Sequence, residues 1–271
     1  MQYLDLNVFD YVYNYLKKAH IIYGFENKNI LFLFLNETID NVKLFLKFGA
    51  KHVWFVNPDF DLEETENGTI TKTRFDRLSD IPDNSVDLVI GLEILEHFLN
   101  LEELKEHLFR ITKPEAKIEL QGEPLWTSPK GNHIWLPKFK FNEITNPFEA
   151  WEHLSFNGSS EMYEGLISKG FSETDAKDIS DWIYDDKNIN RIPVNQIMNS
   201  FVKDADLYKY RRSFSGSSPV FIKNICLNNI ETEFINYISL ERKNKFFEIA
   251  KEKYAQDELT AQTLIIKMRR V

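Results

Sequence analysis

Short apolar runs alternate with amphipathic segments between residues 29 and 121, and this alternation constrains the fold more than any other feature. Asn29–Leu35 (NILFLFL) is a continuous apolar run, as in strands that are buried on both faces. Asp40–Phe48 then has apolar residues at helical spacing and ends at Gly49, and His52–Val56 (HVWFV) predicts a second strand. A strand, a helix and a strand in close succession predict a βαβ unit.

Three more strands are predicted after this unit. They are Thr69–Phe75, Val86–Ile90 and Ala116–Leu120, and the second of them follows a Pro-Asp-Asn turn. Leu101–Ile111 has one apolar face and predicts an amphipathic helix, which Lys113-Pro114 ends. We therefore predict an open, mostly parallel α/β sheet of the nucleotide-binding kind over residues 29–121.

The rest of the chain has weaker patterns, from which we predict its organisation. Met1–Tyr23 is aromatic-rich with interspersed charges and predicts a helix that covers the core. Leu207–Phe214 and Pro219–Cys226 predict a hairpin. We assign residues 1–121 and 206–228 to a Rossmann-like core, 122–205 to a substrate-side insertion, and 229–271 to a charged, helical C-terminal segment.

Composition and charge argue against several classes of function. The formal net charge is −9 and Lys and Arg are scattered, so we expect neither a nucleic-acid partner nor an anionic membrane surface. No apolar run reaches the roughly 18 residues of a membrane span. Cys226 is the only cysteine, which excludes intrachain disulfides and fits a reducing cytoplasm. The six histidines lack the spacing of a zinc site such as His-Glu-x-x-His, so we expect no metal.

Two stretches of the predicted sheet carry a resemblance to a known family. Ile81–His97 (IPDNSVDLVIGLEILEH) combines a Pro-Asp-Asn-Ser turn, an aspartate-bearing apolar strand and a Leu-Glu-His step. Phe109–Lys117 (FRITKPEAK) leads from a helix into the fifth strand. Together they resemble the class I S-adenosylmethionine-dependent methyltransferases over roughly the first half of the chain, although Glu115 and Ala116 stand where that family has glycines. The resemblance implies a seven-stranded, mostly parallel Rossmann-like sheet with an antiparallel last strand, and S-adenosylmethionine as the cofactor.

The sequence departs from this family after the first strand. There the family has an acidic residue and a glycine-rich turn, because glycine lets backbone amides approach the cofactor closely. No glycine occurs between Ile30 and Gly49 in this sequence. Two interpretations stay open: polar side chains hold the cofactor in an altered way, or the pocket has been lost and the chain is catalytically inactive. For the first interpretation, the residues assigned to the cofactor are Asn36, Glu37, Asn57, Asp59, Asp76 and Glu93.

The insertion supplies the residues assigned to the methyl acceptor. His133 and His153 are the candidate general bases, since imidazole titrates near neutral pH and could take a proton from an attacking hydroxyl group. The alternative for His133 is a hydrogen bond within its own loop, and Trp151 beside His153 is equally explained as a core anchor. The residues assigned to acceptor binding are Glu123, Trp126, Asn132, Trp135, Asn190 and Arg191.

The resulting hypothesis is a cytoplasmic methyltransferase. Its acceptor is a small polar molecule such as a sugar, a nucleotide-sugar or a phosphorylated metabolite. The Lys-, Asn-, Ile- and Phe-rich composition is that of an AT-rich bacterial genome, and the resemblance implies a role in bacterial surface-polysaccharide synthesis, since similar domains often lie in such gene sets. The rival is an inactive methyltransferase-like subunit that binds or regulates a partner, and both a homodimer and pairing with a related methyltransferase are left open. A nucleotide-binding enzyme of another type is disfavoured because the chain has no Gly-x-x-x-x-Gly-Lys motif.

Overall fold

The computed structural model of the chain describes residues 5–34, 39–56, 64–65, 70–139, 145–186, 188–201, 210–215, 218–227, 230–236, 244–261 and 263–270. The chain divides into two compact units. Unit 1 comprises Met1–Ile94, Glu103–Leu120 and Lys267–Val271, and unit 2 comprises Leu95–Glu102 and Gln121–Ile266. The three-part assignment made from the sequence, into core, insertion and C-terminal segment, stays a prediction.

Unit 1 is built on a sheet. Its strands are β1 (Asn29–Leu33), β2 (His52–Val56), β3 (Glu64–Thr65), β4 (Ile70–Thr73), β5 (Val86–Gly91) and β6 (Thr112–Gly122). They lie in the order β3-β4-β2-β1-β5-β6, and every neighbouring pair except β3 with β4 is parallel. Without β3, this is the order 3-2-1-4-5 of doubly wound nucleotide-binding sheets. The predicted α/β class with a mostly parallel sheet is confirmed, whereas the predicted count of seven strands is not.

Helices cover the apolar sheet of unit 1. In chain order these helices are α1 (Asp5–Tyr23), α2 (Ile39–Lys47) and α3 (Leu101–Ile111). The predicted covering helix at the N-terminus is confirmed, because Val12, Leu16 and Ala19 of α1 recur at helical spacing and are buried in the core. In that core the Phe32 ring lies 5.0 Å from the Phe45 ring and 5.8 Å from the Phe55 ring, measured between centroids. Each fully buried phenylalanine stabilises the unit by roughly 1.5–3 kcal/mol.

Polar contacts also fix α1 to β6. The hydroxyl groups of Tyr15 and Tyr23 both donate to the buried carboxylate of Glu119 on β6. Burial, reinforced by the charge of Glu119, raises the pKa of Tyr15 well above its usual value, so this phenol stays a hydrogen-bond donor at neutral pH. The two hydrogen bonds thus hold α1 against β6.

Unit 2 combines short helices with a strand meander. Its helices are α4 (Ser159–Ser168), α5 (Glu173–Tyr184), α6 (Val194–Phe201), α7 (Lys245–Ala250) and α8 (Gln256–Thr260). Strands β7 (Tyr210–Ser215), β8 (Ser218–Leu227) and β9 (Ile230–Asn236) pair antiparallel in chain order, and the β7–β8 pair confirms the predicted hairpin. Of the helices that the structure describes in either unit, none has the length and apolar character needed to cross a membrane.

Helix α5 illustrates how local sequence sets the structure of unit 2. The Ser172 side chain accepts a hydrogen bond from the backbone N–H of Asp175 at 3.1 Å, which caps the first turn. Ala176, Ile179 and Ile183 then recur at helical spacing and are fully buried. They join the apolar core of this unit with Trp151 and Phe247.

The prediction of a helical segment over residues 229–271 was wrong in part. Helices α7 and α8 are present, but residues 230–236 form β9 and Thr263–Arg269 form a further strand, β10. In β10, Leu264, Ile266 and Met268 are buried while the residues between them are more exposed, which is the period of two of a strand. Lys267 and Arg269 in the alternate positions gave this stretch the charged composition that favoured a helix.

Candidate functional site

A ligand site is expected at the carboxyl edge of the unit 1 sheet, since ligands of open α/β sheets bind there. Four residues assigned to the cofactor, Asn36, Glu37, Asn57 and Asp59, lie outside the described residues. The described residues at this edge belong to the start of α2 and to the ends of β1, β4 and β5.

Two buried side-chain oxygens at this edge have no hydrogen-bond partner among the described residues. Asn41 lies in the first turn of α2 and is 3% exposed, and its Oδ1 atom accepts no hydrogen bond within that set. Thr73 is the last residue of β4 and is also 3% exposed. Its hydroxyl group likewise has no hydrogen-bond partner within that set. Burying such groups costs about 1–3 kcal/mol unless a partner is supplied, so both atoms fit a polar ligand.

Asp76 and Glu93 are the two assigned cofactor residues that the structure describes. Asp76 lies on the surface just after β4, and its carboxylate accepts hydrogen bonds from the Arg74 guanidinium at 3.1 Å through each oxygen. Glu93 follows β5, is half-buried, and has a φ of +48°, which is uncommon for a residue with a side chain. Both residues therefore lie at the expected edge, Asp76 in an exposed ion pair and Glu93 in a strained turn.

Gly91 ends β5 in a tightly packed position. A methyl group placed on Gly91 would lie 2.9 Å from side-chain carbons of both Ile94 and Leu120 and 3.6 Å from Leu33. Glycine is needed here for packing against aliphatic side chains. The space beside the ends of β1, β5 and β6 at this point is therefore apolar and filled.

A turn that begins unit 2 brings a second group of polar residues together. Asn190 is 7% exposed, and its side-chain N–H groups donate to the carbonyl oxygens of Leu95 at 2.6 Å and Phe98 at 2.7 Å. Its backbone N–H donates to the carbonyl oxygen of Glu96 at 2.7 Å. Asn190 was assigned to acceptor binding, but the structure uses its amide to clamp the turn from Leu95 to Phe98.

Glu96, His97 and His133 converge at this turn, and we call them the Glu96–His97–His133 cluster. One nitrogen or oxygen atom from each of the three lies within 4.8 Å of the other two. The His97 and His133 rings are 5.1 Å apart in an edge-to-face arrangement. Glu96 is 1% exposed, and its Oε1 accepts a hydrogen bond from the backbone N–H of Glu123 at 3.0 Å.

The backbone around the cluster holds His133 in an unusual conformation. Its φ is +46°, in the left-handed region that costs energy for residues with a side chain. The Trp182 indole N–H donates to the His133 carbonyl oxygen at 3.1 Å, and the His133 N–H donates to Lys130 O at 3.2 Å. These two hydrogen bonds hold the backbone of His133 in this conformation.

Burial determines the charge of these histidines. It lowers the pKa of His97 to about 4, against a smaller opposite effect of a hydrogen bond with the backbone of Asn188. It lowers the pKa of His133 to about 3, and the neighbouring His97 contributes further. Both imidazoles are therefore neutral near pH 7, where a base of such low pKa is weak.

His153, the other predicted base, lies in the apolar core of unit 2. It is fully buried, and its Nε2 atom makes a hydrogen bond of 2.8 Å with the carbonyl oxygen of Trp126. Burial lowers its pKa to about 4. Trp151 is the core anchor of the alternative interpretation, because its indole N–H donates to Leu259 O at 2.7 Å and its ring packs on Phe247.

The remaining acceptor candidates differ in exposure. Asn132 is fully buried and exchanges amide hydrogen bonds with Asn146 at 3.1 and 3.4 Å. Arg191 donates to the carbonyl oxygens of Ile183 and Ile189 and pairs with Asp186. Trp126 is packed in the unit 2 core, Glu123 is half-buried, and Trp135 is 42% exposed. The structure thus uses most of these side chains internally and brings only His133 and the backbone of Glu123 to the cluster.

Sequence reasoning missed the partners of His133. Glu96 and His97 were noted only as part of the Leu-Glu-His step, and His133 follows His97 by 36 residues, so no local spacing signals their convergence. Asn41 and Thr73 were missed because an isolated Asn or Thr in an apolar segment has no distinctive pattern. Their position in the first turn of a helix and at the end of a strand is the one signal available.

Comparison with known proteins finds only distant structural similarity. No family model and no curated protein matches the chain. A methyltransferase dependent on S-adenosylmethionine from Mesorhizobium loti is 13% identical, with 97% of this chain and 100% of that chain covered and a TM-score of 0.48. One from Archaeoglobus fulgidus is 13% identical, with coverage of 97% and 94% and a TM-score of 0.45. A complex between a methyltransferase activator and a methyltransferase of Haloferax volcanii is 10% identical, with coverage of 98% and 92% and a TM-score of 0.40. At these values the similarity assigns no function to this chain.

Proposed function

We propose that the chain is an S-adenosylmethionine-dependent methyltransferase that acts on an oxygen or nitrogen of a small polar acceptor. The observation that carries the proposal is the pair of buried oxygens, Asn41 Oδ1 and Thr73 Oγ1, at the carboxyl edge of a sheet with the order β4-β2-β1-β5-β6. Ligands of sheets with this order bind at that edge. The resemblance of Ile81–His97 to the methyltransferases supplies the class of cofactor.

The residues of this edge would bind and orient the cofactor. When bound, S-adenosylmethionine supplies an electrophilic methyl group. Asn41 lies in the first turn of α2, where backbone N–H groups lack helical partners and the helix dipole favours polar or negative groups. The Thr73 hydroxyl can donate or accept a hydrogen bond. With the glycine-rich turn missing, we assign to these side chains part of the role that backbone amides have in the family.

The proposal also concerns the chemical class of the methyl acceptor. We infer a sugar, a nucleotide-sugar or a phosphorylated metabolite from the aromatic and amide-rich insertion, with a role in surface-polysaccharide synthesis as its context. Alignment of the nucleophile with the methyl group can lower the barrier of such a transfer by about 7–11 kcal/mol. The base role of His133 and His153 stays a prediction, and the low pKa of each imidazole makes alignment the larger contribution.

Calorimetric titration with S-adenosylhomocysteine tests the proposal. The wild-type protein should bind it, and Thr73→Val should weaken binding about 2- to 10-fold, since one neutral hydrogen bond contributes about 0.5–1.5 kcal/mol. Thr71→Val is the matched control: Thr71 lies on the same strand, half-buried, with its hydroxyl 3.3 Å from His52 Nε2. It should leave the affinity unchanged.

Two results would contradict the proposal. The first is the absence of binding by folded wild-type protein at high concentration. The second is an equal loss of affinity in the Thr71 and Thr73 variants, because a side-chain contact at the end of β4 could not produce it.

The inactive, methyltransferase-like subunit is the second candidate, and the packing at Gly91 favours it. Aliphatic side chains fill the space beside the ends of β1, β5 and β6, and no glycine follows β1 before Gly49. Pairing with a related methyltransferase would then be its function. Failure to bind S-adenosylhomocysteine together with formation of a stable complex with such a relative would support this candidate.

A further inference from the structure

We propose that the Glu96–His97–His133 cluster is a binding site for a divalent transition-metal ion such as Zn²⁺. Its donor atoms, one from each residue, lie within 4.8 Å of one another, and Glu96 is 1% exposed. Two imidazoles and one carboxylate are the donors of three-ligand zinc sites, which keep a fourth position for water or a substrate oxygen. The proposal does not rest on the proposed methyl transfer, although it uses the candidate base His133, and its test uses no cofactor.

The cluster is preorganised by its surroundings. The Asn190 amide holds the turn that carries Glu96 and His97, through bonds of 2.6 and 2.7 Å to Leu95 O and Phe98 O. The Glu123 N–H fixes Glu96 Oε1 at 3.0 Å. The Trp182 indole fixes the backbone of His133 in its left-handed conformation. Strained residues that the surrounding structure over-determines occur disproportionately at functional sites.

One ring atom of the cluster indicates a ligand directly. The Nδ1 atom of His97 is buried and has no hydrogen-bond partner among the residues that the structure describes. The His97 side chain is 12% exposed, so water has little access to it. A metal ion would satisfy the lone pair of such a nitrogen.

Burial of Glu96 also favours a cation. The residue is 1% exposed, and a buried carboxylate costs free energy unless hydrogen bonds and an opposite charge compensate for it. The Glu123 N–H supplies one hydrogen bond, and a divalent ion would supply the opposite charge.

Only a small adjustment of the side chains is needed for binding. Zinc–ligand bonds of about 2.0–2.2 Å in a tetrahedron place donor atoms roughly 3.3–3.5 Å apart. The three donor atoms of the cluster lie within 4.8 Å of one another. Contraction by about 1 Å through side-chain rotation would bring them to ligand distance.

Calorimetric titration of the EDTA-treated, full-length protein with Zn²⁺ tests the site. We expect one ion per chain with a Kd below about 10 µM, and visible ligand-field bands when Co²⁺ replaces Zn²⁺. His97→Gln and His133→Gln should each weaken binding at least about 10-fold. His107→Gln is the matched control, because His107 also lies beside a carboxylate, 3.8 Å from Glu103, but on the surface of α3, and it should bind like the wild type.

The variants are compared only after circular dichroism shows that they fold without metal. If a histidine variant does not fold, Glu96→Gln removes the charge at almost constant shape and should weaken Zn²⁺ binding as well. The proposal is overturned if the folded wild-type protein binds no Zn²⁺ at a free Zn²⁺ concentration of about 100 µM, which is 10-fold above the highest expected Kd of about 10 µM. It is also overturned if the folded cluster variants bind Zn²⁺ with the affinity of the wild type. Binding of Mg²⁺ as tight as that of Zn²⁺ would also overturn it, because Mg²⁺ prefers oxygen ligands. Titration of the same samples with S-adenosylhomocysteine is a separate readout of the proposed function.

Discussion

Replacement of Asn190 by aspartate should destabilise the protein and weaken the proposed metal site together. The substitution keeps the shape of the side chain but removes both N–H donors. The carbonyl oxygens of Leu95 and Phe98, now 2.6 and 2.7 Å from the amide nitrogen, would face a carboxylate oxygen in a position that is 7% exposed. A buried acceptor that loses its donor costs about 1–3 kcal/mol, so two such losses amount to about 2–6 kcal/mol.

The assay is urea denaturation at pH 7 in EDTA, followed by Zn²⁺ titration of the folded protein. Asn190→Ala should be milder than Asn190→Asp, because it introduces no charge against the carbonyl oxygens. Asn157→Ala is the control: its amide donates to Glu161 on the surface, and the loss should stay below about 1 kcal/mol. A stability of Asn190→Asp within about 0.5 kcal/mol of the wild type would refute the clamp, since that is the ordinary effect of a surface substitution.

Two further substitutions test other parts of unit 2. Gly131→Ala should lower the free energy of unfolding by more than about 3 kcal/mol or prevent folding, because the added methyl group would lie 2.1 Å from Trp126 O. Gly158→Ala is its control and should change the urea midpoint little, because no atom lies within 4 Å of the added methyl group. His153 has a pKa of about 4 in the folded protein against about 6.5 unfolded, so its contribution to stability is present above pH 6.5 and is lost as the pH falls towards 4. The decrease in unfolding free energy from pH 7 to pH 5 should therefore be about 2 kcal/mol smaller in His153→Gln than in the wild type, and equal decreases would contradict the burial of a neutral ring.

The sheet of unit 1 could be predicted from the sequence because its signals are local. Continuous apolar runs mark β1, β2 and β5, each bounded by residues that turn the chain, and the structure has strands there. The helical spacing of Val42 and Phe45 likewise predicts α2. In β10 the charged residues led to the wrong prediction of a helix. Alternate residues of a strand can be charged on one face while the residues of the other face are buried.

The site could not be predicted to the same extent, because it depends on contacts across long stretches of chain. Asn190 was chosen as a polar loop residue, and its role as a clamp depends on carbonyl oxygens more than 90 residues away. Local sequence also does not predict the positive φ of His133 or the proximity of its ring to the His97 ring. Residue type predicted which side chains are chemically capable, and only the fold determines which of them meet.

Two backbone N–H groups at the carboxyl ends of β1 and β5 are used by the sheet itself. The backbone N–H of Phe34 donates to Val56 O at 3.4 Å and that of Leu92 donates to Leu33 O at 3.0 Å, so the strand hydrogen bonds continue one residue past β1 and β5. Those amides are occupied by the sheet whatever side chain follows, and the polar groups left for a ligand in the described part of this edge include the side chains of Asn41 and Thr73. Affinity for S-adenosylhomocysteine should then respond to the loss of a single hydroxyl group at Thr73, whereas a site lined by backbone amides would tolerate it.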